Sequence, residues 1–234
     1  MRDIYKNGNY LSMNQTWHTE DSAWKAAKIS ACISETKLEF SSVAEIGCGA
    51  GEILRNLALD PHFQHASFTG FDISPQAIEM CKPDTGRNIR FECIDLLTKP
   101  IDVVYDVLLA IDVFEHIPDY IGFLEKCRTR ATYKIYHIPL DMHVSAVVRN
   151  IHAKSRYSIG HLHYFSASTA IATLKDTGHE ILSTQYTNGA FGLFRQHPSL
   201  SRALANIPRW LISRVSDEFA ARLLGGYSLL VLTK

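Results

Sequence analysis

The chain has 234 residues, of which 46% are hydrophobic and 21% charged. This composition is ordinary for a globular protein, and the length predicts one α/β domain with a substantial core rather than two independent domains. The 24 Lys and Arg residues balance the 24 Asp and Glu residues without any basic run, so we expect no nucleic-acid partner.

Residues 1–40 precede the first predicted strand, and their apolar pattern predicts a helix from about residue 20 to residue 36. Trp24 lies at helical spacing with Ala27 and Ala31, so we expect it to pack in the core. This first zone is also rich in aromatic residues, which makes it a candidate helical cap on the domain.

The first strand runs directly into three glycines at alternate positions, Gly47, Gly49 and Gly51, and a helix pattern starts at residue 52. Glycine is required where the backbone turns tightly or where a ligand approaches it closely. The helix N-terminus behind such a turn presents unpaired N–H groups and a partial positive charge. Glu45 stands two residues before the first glycine, where a carboxylate suits a ligand that carries an ammonium group.

Strands and helices alternate from residue 41 to residue 188, which predicts a mostly parallel sheet. A helix is predicted over 166–177, with Ser166 at its start and Gly178 at its end. A long insertion over 189–226 precedes the last strand. After the first, the predicted strands are 66–72, 89–96, 105–113, 133–139, 179–186 and 227–233.

Four features match the class I S-adenosylmethionine-dependent methyltransferases in the right order. The E-x-G-x-G-x-G run from Glu45 resembles motif I of this family, and Asp72 follows the last glycine by about 20 residues, where ribose hydroxyls are held. A third strand ends near Asp95, and the D-V-L-L-A-x-D-V-F-E-H-I block from residue 106 is similar to motif IV of the small-molecule members. The resemblance covers roughly residues 43–139.

The resemblance implies a Rossmann-like, seven-stranded α/β fold with helices on both faces. It places the last strand antiparallel between strands five and six. It also implies S-adenosyl-L-methionine as the cofactor, with the aromatic residues ahead of the first helix folding over it as a lid. The expected cofactor-binding residues are Tyr10, Trp17, Glu45, Gly47, Cys48, Gly49, Gly51, Asp72, Ile73, Asp95, Leu96 and Ile111.

Transfer of a methyl group to a hydroxyl requires that a proton leave the acceptor, and histidine is suited to accept it. His116 follows the fourth strand closely, at the sheet edge where ligands bind in open α/β folds, and is our first candidate for the base. His161 and His163 lie in a loop that the resemblance turns toward the substrate. His137 is expected to be structural.

No metal site is expected. Some methyltransferases of this fold hold a divalent cation with carboxylates, but no spacing singles out Asp112, Asp119 and Asp141 as ligands. The predicted function is therefore metal-independent methylation of a small acceptor, a hydroxyl of a sugar or natural product. Two alternatives stay open: N- or C-methylation of a small metabolite, and a non-catalytic scaffold that binds S-adenosylmethionine.

The insertion carries leucine, isoleucine, valine and phenylalanine at spacings of three and four, a pattern that we expect Pro208 to interrupt. Such an amphipathic stretch could pack on its own domain, pair two copies into a homodimer, or rest on a membrane surface; we expect one of the first two. The sequence has no apolar run of membrane-spanning length, and its five cysteines are scattered without a C-x-x-C pair. A cytoplasmic protein with reduced thiols is expected.

Overall fold

A seven-stranded sheet forms the centre of the part of the chain that the structure describes. The structure is a computed structural model, and it describes residues 14, 16–17, 19–81, 88–100, 103–196 and 199–234. The strands are β1 (Ser42–Ile46), β2 (Ser67–Asp72), β3 (Ile89–Cys93), β4 (Tyr105–Ile111), β5 (Ala131–Pro139), β6 (Ile181–Asn188) and β7 (Tyr227–Thr233).

The order of the strands across the sheet is β3-β2-β1-β4-β5-β7-β6. Strands β1 to β5 pair in parallel, whereas β7 is antiparallel to both of its neighbours, β5 and β6. This confirms the predicted Rossmann-like fold and the position of the last strand. Because the chain winds outward in both directions from β1 and β4, a crevice opens between their carboxyl ends.

Helices cover both faces of this sheet. Capping side chains begin several of them as the sequence predicts: Ser74 accepts a hydrogen bond from the N–H of Ala77, and Ser166 forms a capping box with Thr169. The α-helices among the described residues are α1 (Ser22–Thr36), α2 (Glu52–Leu59), α3 (Pro75–Met80), α4 (Tyr120–Arg128), α5 (Val144–Val148), α6 (Ile151–Ser158), α7 (Ala167–Asp176), α8 (Gly189–Gln196), α9 (Leu200–Ser213) and α10 (Asp217–Leu224).

The central strands alternate their side chains between two buried clusters. In β4, Val107 and Leu109 pack with residues of α1 and α2 on one face, while Leu108 and Ala110 pack with residues of α4, α7 and α10 on the other. All four side chains are at most 1% exposed. Burial on both faces is what makes a parallel strand nearly continuous in apolar residues, and it fixes the strand ends that carry the site.

Five predicted strand boundaries are wrong by two or three residues: the fifth strand begins at Ala131 and the sixth ends at Asn188, and the other three have clear local reasons. The fourth strand ends at Ile111 rather than residue 113, because Asp112 adopts a left-handed conformation with φ 53°. The third ends at Cys93, since Asp95 caps a short 3₁₀ turn through the N–H of Leu97. The sixth begins at residue 181 rather than residue 179, whose N–H still bonds to the last turn of α7.

Two helix predictions also need correction. Ala27 and Ala31 are exposed and Trp24 is only half-buried, because the face of α1 that packs on the sheet carries Ala26 and Ile29 instead. Trp24 lies edge-on to His137, with ring centroids 6.2 Å apart. In the insertion, the α9 helix runs through Pro208 without interruption. Hydrogen bonds on either side of this proline, from Asn206 to Ala190 and from Arg209 to Gly225, hold that helix in place.

The insertion folds into α8, α9 and α10 and leaves part of its apolar surface uncovered. Leu204, Trp210, Leu211 and Phe219 are all about half exposed, between 48% and 59%. A homodimer through residues 189–226 stays a prediction, as do the boundaries of the helical cap. Within the described residues, no helix is both long and apolar enough to cross a membrane.

Candidate active site

The loop between β1 and α2 forms one wall of the crevice, and its glycines adopt the conformations that the sequence predicts. Gly47 and Gly49 have φ of 70° and 53°, values that residues with a side chain rarely adopt. The N–H of Gly47 donates to the carbonyl of Phe71 at 2.8 Å, and that of Gly49 donates to the Asp72 carboxylate at 2.9 Å. The loop is therefore fixed to the end of β2.

Trp17 covers this loop. A Cβ atom added to Gly49 would lie 2.5 Å from Cδ1 of the indole ring, so the ring rests directly on the glycine backbone. Trp17 is half-buried and lines the same cavity as the loop, which places it where a lid residue is expected. Tyr10, the other predicted lid residue, lies outside the described residues.

Glu45 is a buried acid at the floor of the crevice. It is 1% exposed, and its Oε2 atom has no hydrogen-bond partner among the described residues. Burial, with nearby Cys81 and Asp72 acting in the same direction, raises the pKa of Glu45 well above its usual range. An unsatisfied buried carboxyl group is costly, and a ligand that donates hydrogen bonds to it would remove the cost. The chemistry fits the ammonium group of S-adenosylmethionine.

A cavity of about 270 Å³ joins these groups. Its acidic lining residues, Asp21, Glu45, Glu52 and Asp112, outnumber the single lysine, Lys25, which gives it an environment suited to a cationic ligand. The predicted site residues that line it are Trp17, Glu45, Gly47, Cys48, Gly49, Ile111, His116 and His161.

Other predicted cofactor contacts lie beside this cavity rather than on its wall. Asp72 accepts hydrogen bonds from the N–H groups of Gly49 and Ser74, and burial raises its pKa despite these bonds. Each carboxylate oxygen has a second lone pair, so a role toward ribose hydroxyls stays a prediction. Leu96 packs in the core and could reach a ligand only through its backbone. Gly51, Ile73 and Asp95 likewise do not line the cavity.

The structure separates the three candidate histidines. The imidazoles of His116 and His161 lie edge to face with centroids 4.8 Å apart, and both line the cavity. His163 does not line it: its Nε2 lies 3.0 Å from the carbonyl oxygen of Ile117, and its ring packs on Tyr120. These contacts favour a structural role for His163 over the catalytic role predicted from the sequence.

Hydrogen bonds fix the orientation of the two cavity imidazoles. Nδ1 of His116 lies 3.1 Å from the carbonyl oxygen of Gly160, and Nδ1 of His161 lies 2.6 Å from the Asp141 carboxylate. Both partners accept hydrogen bonds, so each Nδ1 carries the proton and each Nε2 is the basic nitrogen. Glu115 lies beside them, 1% exposed, and neither of its carboxyl oxygens has a hydrogen-bond partner among the described residues.

The structure also contains a partly buried ion-pair network that the sequence patterns did not predict. Nζ of Lys25 lies 2.7 Å from Asp112 and 2.9 Å from Asp21, and the other oxygen of Asp112 lies 2.6 Å from Nδ1 of His137. Burial raises the pKa of Asp112, but electrostatic attraction to Lys25 and His137 outweighs burial and holds this pKa well below the usual range. His137 also contacts Thr187, as expected of a structural histidine.

The signal for this network was present in the sequence. Lys25 lies three residues after Ser22 and four before Ile29, so it falls on the buried face of α1. A charged residue on the buried face of a helix requires a partner of opposite charge nearby. The identity of the partner, Asp112 after β4, could not be read from the chain because it depends on how α1 packs against the sheet.

Comparison with known proteins matches part of the chain to methyltransferases. Residues 44–132 match the family described as "Methyltransferase domain". Over 95 residues the chain is 26% identical to the ubiquinone biosynthesis O-methyltransferase of Nitrosomonas europaea. That alignment covers 38% of this chain and 39% of the relative, so the match spans about two fifths of the length of that protein.

Two solved structures share the fold. Magnesium protoporphyrin IX methyltransferase from Synechocystis PCC 6803, with bound S-adenosylhomocysteine, superposes with a TM-score of 0.59 at 16% identity, covering 90% of this chain and 82% of that one. The N-methyltransferase NodS from Bradyrhizobium japonicum, also in complex with S-adenosyl-L-homocysteine, gives 0.54 at 16% identity, covering 89% and 84%. At these identities the likeness concerns the fold alone.

Proposed function

Because the chain belongs to the class I S-adenosylmethionine-dependent methyltransferase superfamily, we propose that it methylates a small molecule, at a hydroxyl group of a sugar or natural product. One observation carries the proposal. Glu45, whose Oε2 atom has no hydrogen-bond partner among the described residues, and the oriented imidazoles of His116 and His161 line a single cavity at the switch point of the sheet. One end of this cavity suits a cationic amino acid, and the other suits removal of a proton.

S-Adenosylmethionine supplies an activated methyl group that needs mainly alignment with a lone pair on the acceptor. The residues around Glu45 would hold it. The Glu45 carboxylate would accept hydrogen bonds from the ammonium group, and the turn at Gly47 and Gly49 would leave room for the ligand to pass close to the backbone. Asp72 is the proposed acceptor for the ribose hydroxyls, and Trp17 excludes water from above.

His116 is the proposed general base. Its Nδ1 proton is directed to the carbonyl of Gly160, which leaves Nε2 to accept the proton of an acceptor hydroxyl. His161 is the second candidate, since the Asp141 carboxylate orients its ring in the same way. The name of the curated relative, an O-methyltransferase, supports an oxygen acceptor over a nitrogen or carbon acceptor.

The proposal also covers the cellular compartment and the oligomeric state. The five scattered cysteines favour a reducing compartment, and we propose the cytoplasm. The apolar residues that α9 and α10 leave exposed support pairing of two copies through residues 189–226. Analytical ultracentrifugation of the wild type and of a Leu204→Glu variant tests this, because a dimer should dissociate when that surface becomes charged.

The function is tested in two steps. Calorimetry should show binding of S-adenosylmethionine and S-adenosylhomocysteine with Kd of about 1 μM, or roughly −8 kcal/mol. Mass spectrometry should then detect a gain of one methyl group on a member of a panel of hydroxylated sugars and natural products. His116→Ala should lower turnover about 10²- to 10⁴-fold with little change in cofactor affinity, whereas His163→Ala should retain turnover.

Binding of a nicotinamide dinucleotide in place of S-adenosylmethionine would refute the assignment of the cofactor. Methyl transfer that survives replacement of both His116 and His161 would argue against a hydroxyl acceptor, and an amine would then be the better assignment. Cofactor binding without transfer to any acceptor, including amines and carbon acids, would favour the scaffold alternative.

A further inference from the structure

Glu115, His116 and His161 lie close together, and the two histidines line the cavity. A ligand atom from each lies within 4.8 Å of those of the other two. Glu115 and His116 come from the 3₁₀ turn after β4, whereas His161 comes from the loop before α7. Two imidazoles and a carboxylate are a donor set that binds first-row divalent metal ions.

The buried carboxyl group of Glu115 is the observation that points to a ligand. It is 1% exposed, and neither oxygen has a hydrogen-bond partner among the described residues; Nε2 of His116 lies 3.8 Å from Oε1, beyond hydrogen-bond distance. A polar group in this position is normally satisfied by a donor or a cation. A metal ion between Glu115 and the two imidazoles would satisfy it.

The surrounding contacts orient both imidazoles for coordination. Each Nδ1 has an acceptor, the Gly160 carbonyl for His116 and the Asp141 carboxylate for His161, and each Nε2 therefore carries the lone pair. Metal-binding histidines in proteins usually donate their second N–H to a carboxylate or a backbone carbonyl in this way. Asp141 thus has the place of an outer partner that orients a ligand.

The backbone holds the three groups together before any ion binds. The carbonyl oxygen of Glu115 accepts hydrogen bonds from the N–H groups of Leu162 and His163, at 2.8 Å and 3.1 Å. These bonds attach the loop that carries His161 to the turn that carries Glu115. A site assembled from two segments in this way loses little conformational entropy when it binds a cation.

We propose that Glu115, His116 and His161 bind a first-row divalent transition-metal ion, of the class of Mn²⁺, Co²⁺ or Zn²⁺, with further positions open to the acceptor. Three protein ligands leave coordination positions for water or substrate. The proposal departs from the sequence-based expectation of no metal, because Glu115 and His161 are far apart in the chain and only the fold brings them together.

The role of the ion rests on the proposed function. A hydroxyl bound to the ion would lose its proton to solvent water more readily, and the cation would then replace His116 as the means of ionising the acceptor. The oxygen would form its bond to the methyl carbon as the bond from that carbon to sulfur breaks, releasing S-adenosylhomocysteine. His116 and His161 would act as ligands throughout.

Metal binding can be measured without any acceptor. Full-length protein is stripped with chelator, dialysed and titrated with Mn²⁺ by electron paramagnetic resonance and with Co²⁺ by visible absorption. One ion per chain should bind, with a Co²⁺ spectrum of nitrogen and oxygen ligation. Glu115→Gln and His161→Ala should each weaken binding about 100-fold or more, and Asp141→Asn about 10- to 100-fold.

The control is His62→Ala, which removes an exposed histidine from the turn after α2 and should leave the affinity unchanged. Circular dichroism establishes that each variant is folded, and the isosteric Glu115→Gln change keeps the proposal testable if His161→Ala does not fold. Absence of a stoichiometric ion in the wild type would overturn the proposal, as would equal affinity in the wild type and both folded ligand variants.

Experiment can refute the proposed function and the proposed metal site independently of each other. Binding of the ion together with failure to bind S-adenosylmethionine would support the metal site and refute the proposed function. Methyl transfer by chelator-treated protein at the untreated rate, with no ion bound, would overturn the metal site and leave His116 as the base. Transfer stimulated at least about 10-fold by added Mn²⁺ in the wild type, but not in Glu115→Gln, would support both.

Discussion

Removing the charge of Lys25 should destabilise the protein markedly. Its ammonium group lies 2.7 Å from Asp112 and 2.9 Å from Asp21, and its side chain is 11% exposed. Lys25→Met keeps the length of the side chain and leaves Asp112 without the ammonium group that pairs with its Oδ2 atom. Breaking a fully buried ion pair costs about 3–5 kcal/mol. Because the Asp112 side chain is 24% exposed, water compensates part of this, and we expect a loss of about 2–3 kcal/mol.

Urea unfolding followed by circular dichroism measures the loss directly. For a domain of this size, a loss of 2–3 kcal/mol corresponds to a fall in Tm of about 5–10 °C. The single variants Lys25→Met and Asp112→Asn, with the double variant, form a double-mutant cycle. Since the two groups are in contact, their coupling energy should exceed about 1 kcal/mol, and the double variant should be more stable than the two single losses predict.

The pH dependence has a definite sign. The pKa of Asp112 is lowered from 3.8 on folding, so its contribution is fully present above that pH and is lost as the pH falls below it. The difference in stability between the wild type and Lys25→Met should therefore shrink below about pH 4. A loss under about 0.5 kcal/mol at pH 7, or a coupling energy near zero, would show that the pair behaves as a solvated surface pair and would refute the reasoning.

Three further outcomes are expected. Gly49→Val should abolish S-adenosylmethionine binding in calorimetry, because φ is 53° there and the added Cβ would meet Trp17; unchanged affinity would contradict the proposed path of the ligand. Asp72→Ala should weaken cofactor binding by about 1.5–3 kcal/mol, and a folded variant with wild-type affinity would remove its ribose role. Burial lowers the pKa of His179 from 6.5 to about 4, so its proton-linked cost grows as the pH falls through that range. His179→Asn should therefore lose about 1–2 kcal/mol less stability than the wild type between pH 7 and pH 5, measured by urea unfolding; parallel losses would show that His179, which contacts Tyr136, titrates normally.

The residues alone predict an α/β fold and one wall of the site. The glycine run after β1 requires backbone conformations that glycine alone adopts freely, and such local constraints can be read from neighbouring residues. Glu45 and Gly47 are two residues apart, so their proximity follows from the chain. The order of the strands followed from the resemblance to a known family, not from the residues alone.

The residues around His116 and His161, in contrast, come together only through the packing of distant elements. Lys25 contacts Asp112 because α1 packs on the face of the sheet that carries Val107 and Leu109 of β4, and His161 lies near Glu115 because the loop before α7 folds back onto the turn after β4. His163, two residues from His161, points elsewhere. The residues of each pair, Lys25 with Asp112 and Glu115 with His161, are separated by tens of residues in the chain. No local sequence pattern predicts that they are in contact. Packing of elements distant in sequence brought the charged and coordinating groups together.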